Sequence, residues 1–446
     1  MLFSFRMTVP MAAFRDRVSS QTGLQRSTVA LWFTASQRYT MGSVFHSCRP
    51  CPKARCGLSP SGRVRAGWEN ATMTEHPTSR ATATTALRDH VLGALHPGDG
   101  SAPLFSAVVV LVSDAGEVLA TEAHGLTADW VDESGTRRRG APVTGDTLFD
   151  LASITKSFVT AAALAEFTDR GFLESGGEGL RIPVKEWLPE YRELPAVTLL
   201  DLLTHRAGLP SEWEDNRPGP EARERFRTVL PTGPAGTVHA YSCVGFIWLG
   251  LCLEAMTGQP LDEIVRDRIL RPLGLTNTGY RPSIPLDGVA ATEIQPGRGL
   301  VHGQVHDETA WALGGVSGNA GLFSTAGDLL TFTEMLRNGG VHEGDQVLSP
   351  GAVALMTTPV SGPVSGQYEQ AVGLRVGEPW LHALAPGGLR IPVPAGHGGY
   401  TGTAFGFVPG GRRSVVLLTN RVHPHRGEDD RFAAFRQRLM ELAGGL

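Results

Sequence analysis

The chain has 446 residues, of which 41% are hydrophobic and 19% are charged, and its formal net charge is −4. This length predicts two or three domains of roughly 150 residues each. The balanced charge argues against a nucleic acid or another polyanion as the partner. No stretch reaches the ~20 apolar residues that a membrane-spanning helix needs. The N-terminus shows no basic-then-apolar secretory signal either, so we expect a cytoplasmic protein.

Residues 1–80 are predicted to be an N-terminal extension that is disordered or is not part of the native protein. The first 72 residues carry ten basic and two acidic side chains, a net charge of +8, whereas the remainder carries −12. The segment is rich in Arg and Ser and shows no sustained periodicity, which is typical of disorder. Two interpretations stay open, a targeting extension or an over-extended start with translation beginning near Met73.

Three of the five cysteines also lie in this segment, at Cys48, Cys51 and Cys56, close to His46. A C-x-x-C pair beside a histidine can bind zinc. However, no second pair of ligands follows, and an odd number of cysteines gives no disulfide framework. We therefore expect neither a metal site nor a disulfide scaffold.

The first predicted elements are a helix over residues 86–95 and a strand over residues 104–112, which is rich in β-branched side chains. The sequence Ser-Asp-Ala-Gly at 113–116 is a turn signal, and a second strand follows over residues 117–125. This order predicts a β-hairpin that packs on a helix.

The remaining elements are a long helix over residues 153–170, short helices and loops over 174–321, strands over 403–408 and 414–419, and a final helix over 429–442. Strands at both ends of the chain around a helical middle predict an α+β fold, with an antiparallel sheet flanked by N- and C-terminal helices and a mainly helical second domain. The predicted sheet domain comprises residues 81–173 and 325–446, and the predicted helical domain comprises residues 174–324.

Ser153 and Lys156 form an S-x-x-K pattern at the start of the long helix. Side chains three residues apart on a helix are neighbours, so the lysine can reach the serine hydroxyl. A serine hydroxyl is a weak nucleophile until a base accepts its proton. Of 40 basic residues only three are lysines, and unlike arginine a buried lysine can lose its proton. A lysine base needs its pKa to fall from ~10.4 toward 7, and the apolar surroundings favour this. The alternative is an exposed lysine behind a serine cap.

The segment LFDLASITKSFVTAAAL resembles the active-serine helix of class C β-lactamases, their esterase relatives and low-molecular-weight DD-peptidases. That group carries three motifs in a fixed order, and Ser153 with Lys156 matches the first. Tyr241-Ser242-Cys243 resembles the second, Y-x-N, whose tyrosine shuttles the proton of the nucleophile. Cys243 stands where the group usually has Asn or Asp, which leaves the contact to a substrate carbonyl in question.

The third motif of the group, K-T-G or H-T-G on an edge strand, is matched by His397-Gly398-Gly399. Glycines on an edge strand let a substrate approach the backbone. The resemblance implies an oxyanion hole made by the backbone N–H groups of Ser153 and Tyr400. His397 replaces a lysine, and a neutral imidazole attracts a substrate carboxylate poorly.

Two further segments extend the resemblance over about residues 100–440. They are LLDLLTHRAGLPSEW and VHDETAWALGGVSGNAGLFSTAGDLLTF, the latter with Asn319 where His is common. The sequence has no G-x-S-x-G motif, which disfavours an α/β-hydrolase. The nearest match, at Ser317, lacks the closing glycine.

These motifs predict a serine hydrolase that cleaves a small-molecule ester or amide through an acyl-enzyme, without a metal or cofactor. Carboxylesterase-like action ranks first, followed by D-amino-acid peptidase and β-lactamase activity. The rival from another class is a binding protein that keeps the cleft but has lost turnover, which the Cys243 substitution favours. The sequence leaves the substrate and the oligomeric state open.

Overall fold

The computed structural model describes residues 77–174, 177–189, 196–360, 368–385, 392–427 and 430–446. The part of the predicted extension before residue 77 lies outside these ranges, as do Cys48, Cys51 and Cys56. Residues 72–446 belong to one compact unit. The predicted division of this unit into a sheet domain and a helical domain stays a prediction.

The α-helices in the described ranges are Pro77–Leu95 (α1), Thr155–Asp169 (α2), Leu199–Leu203 (α3), Ala222–Phe226 (α4), Cys243–Thr257 (α5), Leu261–Val265 (α6), Glu308–Ala312 (α7), Ala326–Arg337 (α8), Pro350–Thr357 (α9), Pro379–His382 (α10) and Asp430–Gly444 (α11).

The strands are Ala107–Asp114 (β1), Glu117–Gly125 (β2), Asp129–Val131 (β3), Arg137–Arg139 (β4), Phe149–Asp150 (β5), Gly279–Tyr280 (β6), Ile294–Gln295 (β7), Gly299–Leu300 (β8), Leu322–Ser324 (β9), Val341–His342 (β10), Asp345–Gln346 (β11), Glu369–Gln370 (β12), Arg375–Val376 (β13), Ala395–Gly398 (β14), Ala404–Phe407 (β15) and Arg413–Thr419 (β16).

A seven-stranded sheet in the order β12-β13-β14-β15-β16-β1-β2 forms the centre of the fold. Every neighbouring pair in it is antiparallel. The N-terminal hairpin therefore pairs with the last strand of the chain, and Val108 lies opposite Thr419. The turn of this hairpin has positive φ at both Ala115 and Gly116, the backbone that a two-residue hairpin loop with right-handed strand twist requires.

Both faces of the sheet are covered, because successive side chains of a strand point to opposite faces. On one face, Val108 and Val110 of β1 pack with Leu87 and Val91 of α1 and with α11. On the other face, Val109 joins the large core that contains α2, α5 and α8. The Phe158 ring of α2 and the Phe332 ring of α8 stack with their centroids 3.9 Å apart, so these two helices are held together beneath the sheet.

The predicted elements agree with the structure in kind and differ at their ends. The first helix begins at Pro77 rather than at residue 86, and it takes in residues 77–80 that were assigned to the extension. The long helix is preceded by a separate 3-10 turn, Ala152–Ile154, and α2 itself begins at Thr155. The sequence analysis identified no α5 and no α8. Apolar residues cover nearly the whole circumference of α5 and leave it no one-sided periodicity, whereas α8 carries a polar side at Asp328, Thr331 and Glu334 that was overlooked.

Candidate active site

Ser153 lies on the turn between β5 and α2. The preceding residue, Ala152, has a left-handed backbone with φ of 46°, a conformation that costs a residue with a Cβ about 1 kcal/mol or more. Ser153 and Lys156 are three residues apart, the first in the 3-10 turn and the second in α2. Because a 3-10 turn eclipses side chains at this spacing, both side chains point the same way.

Lys156 is completely buried and its Nζ has three acceptors around it. It donates to Ser153 Oγ at 3.0 Å, to the backbone oxygen of Asn319 at 3.0 Å and to Cys243 Sγ at 3.5 Å. The Nζ also lies 5.1 Å from the centre of the Tyr241 ring. The structure thus brings together the predicted Ser153, Lys156, Tyr241 and Cys243 at one point.

The lowered pKa that the sequence analysis expected for Lys156 is not observed. Burial is the largest single influence and lowers this pKa, but the interactions of Lys156 with Cys243 and Tyr241 together raise it to about 12. Burial also raises the pKa of the Cys243 thiol, so that sulfur is neutral near pH 7. The three acceptors around Nζ match the three donors of an ammonium group, and the net direction of the pKa agrees with a charged Lys156.

Tyr241 immediately precedes α5, and the start of this helix fixes its position. Ser242 caps α5 by accepting a hydrogen bond from the Gly245 N–H at 3.0 Å, and its hydroxyl donates to the Pro210 oxygen at 2.6 Å. The Ser242 N–H donates to His205 Nδ1 at 3.1 Å. The His205 ring lies 4.4 Å from the Tyr241 ring, and burial holds the His205 pKa well below its usual value. A neutral imidazole thus supports the tyrosine.

His397 lies on β14 and is buried, with 2% of its surface exposed. Burial, followed by the nearby Arg375 and Lys156 cations, lowers its pKa well below 6.5. Its Nδ1 lies 2.8 Å from the Gly398 oxygen, and its ring centre is 6.4 Å from that of Tyr241. The structure therefore places a neutral imidazole where the resembling group has a lysine.

Gly399 allows the end of β14 to approach the Ser153 turn. A Cβ at this position would lie 2.5 Å from the Leu151 backbone oxygen and 2.2 Å from Thr403 Oγ1. Both distances are far inside van der Waals contact, so only glycine fits. The next residue, Tyr400, consequently stands beside the turn that carries Ser153, with its ring 48% exposed.

The backbone N–H groups of Ser153 and Tyr400 are both free of protein acceptors within the described ranges. Buried or half-buried N–H groups in folded proteins are normally paired with protein or water. Two unpaired N–H groups beside a candidate nucleophile are the kind of donor that an oxyanion hole needs, and the oxyanion hole implied by the resemblance stays a prediction.

Asp150 is a residue that the sequence analysis missed. Its side chain accepts hydrogen bonds from the Ala152 N–H at 2.8 Å and from the His306 N–H at 2.6 Å. Its backbone oxygen accepts from Thr401 Oγ1 at 2.8 Å. One buried residue therefore ties the Ser153 turn to two other segments that border the site. The signal was an acidic residue inside the apolar run LFDLAS.

A cleft of about 420 Å³ opens in front of Ser153, a size typical of small-molecule sites. Ser153, Tyr241, Cys243 and Tyr400 line it. Its charged lining residues are Glu212, Asp307, Glu308 and Arg426.

The guanidinium in this cleft is already neutralised. Arg426 bonds Glu293 at 2.7 Å and also bonds Glu308. Glu212 and Asp307 remain as carboxylates without a cationic partner in the described part of the chain. These two side chains therefore add negative charge to the lining of the cleft.

Among the described residues, no group of three or more His, Cys, Asp or Glu side chains could hold a metal ion. No described helix combines the length and the apolar character that crossing a bilayer demands.

Residues 103–438 match the family model described as Beta-lactamase. A protein from Escherichia coli K12 named "Putative D-alanyl-D-alanine carboxypeptidase" is 31% identical over 356 residues, which span 72% of this chain and 79% of that protein. A class C β-lactamase from Rhodobacter sphaeroides superposes with a TM-score of 0.56 at 21% identity, covering 82% of this chain and 98% of its own. EstCE1, a hydrolase with promiscuous acyltransferase activity, superposes with a TM-score of 0.60 at 22% identity, and the match covers 82% of this chain and 99% of EstCE1. The two structures confirm the predicted fold class.

Proposed function

The chain belongs to the Beta-lactamase family and is a serine hydrolase, and from this premise we propose that it cleaves uncharged carboxylic esters with Ser153 as the nucleophile. The observation that carries the proposal is the fully buried Lys156 Nζ, 3.0 Å from Ser153 Oγ at the edge of a 420 Å³ cleft. A structural lysine gains nothing from such burial, since desolvating an ammonium group is costly.

In the proposed reaction, the reactive form carries Tyr241 as a phenolate beside the Lys156 ammonium. Ser153 Oγ attacks the substrate carbonyl carbon, and its proton passes to that phenolate oxygen. Lys156 keeps its own proton, and its positive charge stabilises the tyrosine oxygen while that oxygen is deprotonated. The carbonyl oxygen becomes an oxyanion between the N–H groups of Ser153 and Tyr400, each worth about 2.7–4 kcal/mol. Tyr241 then returns the proton to the leaving alcohol. Water releases the acyl group by the same steps in reverse.

The charges around the cleft favour a neutral substrate over one with a carboxylate. His397 is uncharged near pH 7 because its pKa lies well below 6.5, and Arg426 is occupied by Glu293 and Glu308. A substrate carboxylate would meet Glu212 and Asp307 instead. We therefore rank ester hydrolysis above the cleavage of D-alanyl peptides, which end in a carboxylate, and above β-lactam hydrolysis.

Cleavage of D-alanyl peptides is the second candidate, because the E. coli relative at 31% identity bears the name of a D-alanyl-D-alanine carboxypeptidase. Turnover of N-acyl-D-Ala-D-Ala faster than of its C-terminal amide would favour this candidate. The reverse order would support the ester proposal, since the amide lacks the negative charge.

A fluorophosphonate probe tests the nucleophile directly, with Ser153→Ala as the variant and Ser157→Ala as the matched control on the same helix. We expect labelling of the wild type and the control but not of Ser153→Ala. Absence of labelling in all three would favour the binding protein without turnover.

Substrate charge is tested with p-nitrophenyl butyrate and mono-p-nitrophenyl succinate, which differ by one carboxylate. We expect kcat/KM to be about tenfold higher for the butyrate, since like charges several ångströms apart at a protein surface repel by about 1 kcal/mol or more. Equal or inverted rates would contradict the assignment to neutral esters.

A further inference from the structure

Two N–H donors point at the sulfur of Cys243, which is a poor hydrogen-bond acceptor for both. Lys156 Nζ points at it from 3.5 Å. The side-chain amide of Asn319 also lies at this sulfur, where it favours the thiolate. Asn319 is fully buried, and its Nδ2 completes no hydrogen bond. A thiol sulfur is a weak acceptor, so two donors converge on a position where an oxygen atom would be bound better.

The Asn319 amide is fixed in this orientation by its other end. Its Oδ1 accepts a hydrogen bond from Ser317 Oγ at 2.7 Å, so a flip of the amide would break that bond. Its backbone oxygen accepts from Lys156 at 3.0 Å. A buried, unpaired N–H costs stability unless something accepts it, and the Asn319 side chain interacts with the Cys243 sulfur.

Cys243 is also reachable from solvent. It lines the same cleft as Ser153, whereas Cys252, about two and a half helix turns further along α5, is fully buried. A small oxidant that enters the cleft can therefore meet the Cys243 sulfur and not that of Cys252.

We propose that Cys243 is a site of reversible oxidation by hydroperoxides, and that its sulfenic acid is held by the Lys156 ammonium and the Asn319 amide. The thiolate sulfur attacks one peroxide oxygen, an S–O bond forms and the O–O bond breaks. Sulfur loses two electrons, the peroxide gains them, and the leaving hydroxide takes the thiol proton to become water. The new oxygen accepts the two N–H groups that the sulfur left unsatisfied.

Oxidation switches the hydrolase off, a consequence that rests on the proposed function. An oxygen on Cys243 draws Lys156 away from Ser153 Oγ and occupies part of the cleft beside it. A thiol reductant removes the oxygen as water and restores the original arrangement. Since burial raises the pKa of the thiol and the thiolate is the reacting form, oxidation accelerates as the pH rises.

The test treats the full-length protein with hydrogen peroxide, traps sulfenic acid with dimedone and locates the adduct by peptide mass mapping. We expect the adduct at Cys243 and none at Cys252, with labelling at Cys243 that increases from pH 6 to pH 8. In Asn319→Ala, which lacks the amide donor, we expect the sulfenic acid to disappear at least fivefold faster into higher oxides. Peroxide should reduce ester hydrolysis of the wild type at least tenfold and dithiothreitol should restore it, whereas peroxide should leave unchanged whatever rate Cys243→Ser has before treatment.

No adduct at Cys243 in the wild type would overturn the proposal, as would an equal lifetime of the sulfenic acid in wild type and in folded Asn319→Ala. Mapping does not depend on catalysis, so it remains decisive even if no ester is cleaved. If the adduct forms in a protein that lacks ester activity, the oxidation site stands and the proposed function fails.

Discussion

Replacing Asp150 by Asn tests whether one buried carboxylate positions the nucleophile. The carboxylate accepts the Ala152 N–H at 2.8 Å and the His306 N–H at 2.6 Å. Asn has nearly the same shape, but it offers one oxygen and one NH₂ group. One of the two backbone N–H groups must then face another donor.

The expected magnitude follows from these two bonds. A hydrogen bond to a charged group contributes about 1.5–3 kcal/mol, and an N–H left unpaired costs about 1–3 kcal/mol. Burial already disfavours the charged form of Asp150 and raises its pKa, which offsets part of the loss. We expect the free energy of unfolding to fall by about 2–4 kcal/mol. We expect kcat to fall about 100-fold, because a shift of about 1 Å at Ser153 costs that much.

The free energy of unfolding is measured by urea denaturation, followed by circular dichroism and extrapolated linearly to water. The turnover of p-nitrophenyl butyrate gives kcat. Asp146→Asn is the matched control, since Asp146 lies four residues earlier and is exposed; it should change neither. The positioning role would be refuted if Asp150→Asn kept the wild-type kcat and its free energy of unfolding stayed within about 0.5 kcal/mol of wild type, a margin usual for surface substitutions.

Three further predictions concern the same site. Lys156→Arg keeps the positive charge, but the longer, planar guanidinium does not fit among the three buried acceptors. The rate of fluorophosphonate labelling should therefore fall at least 1,000-fold, and labelling near the wild-type rate would contradict the ammonium role. Gly399→Ala puts a Cβ 2.5 Å from the Leu151 oxygen and should lower kcat at least 100-fold, whereas normal turnover would show that β14 can move away. Burial raises the pKa of Asp150 in the folded state. The titration of Asp150 therefore stabilises the fold at pH values below its unfolded-state pKa of ~3.9, and this stabilisation is lost as the pH rises through the folded-state pKa. Activity needs the carboxylate and should instead decline as pH falls through that folded pKa, and a pH–rate profile of wild type that stays flat in the acid range would contradict this.

The local elements could be predicted because their signals are local. The β1–β2 hairpin follows from β-branched strands around a turn with positive φ, and β2 covers the residues expected. The spacing of Ser153 and Lys156 fixes their contact, since no other segment has to move for it to form. The helix α5 could not be predicted in the same way, because a helix that is buried on nearly all sides loses its one-sided pattern.

The charge state of Lys156 is the clearest failure of the local argument. Apolar neighbours in sequence predicted desolvation and a lowered pKa. The side chains of Cys243 and Tyr241 arrive from elsewhere in the chain and reverse the direction of the shift. The role of Asp150 depended on tertiary structure in the same way, because its second donor, the His306 N–H, lies 156 residues away.

The sequence by itself determined the α+β fold and the serine–lysine pair, because hydrophobic pattern, turn residues and short spacings encode them directly, and the motifs around Ser153, Tyr241 and His397 carried the resemblance to the family. Only the tertiary structure decided where protons and charges reside in the cleft. A proton's location depends on every charged or polar group within several ångströms, and these groups meet only when segments more than 80 residues apart pack together.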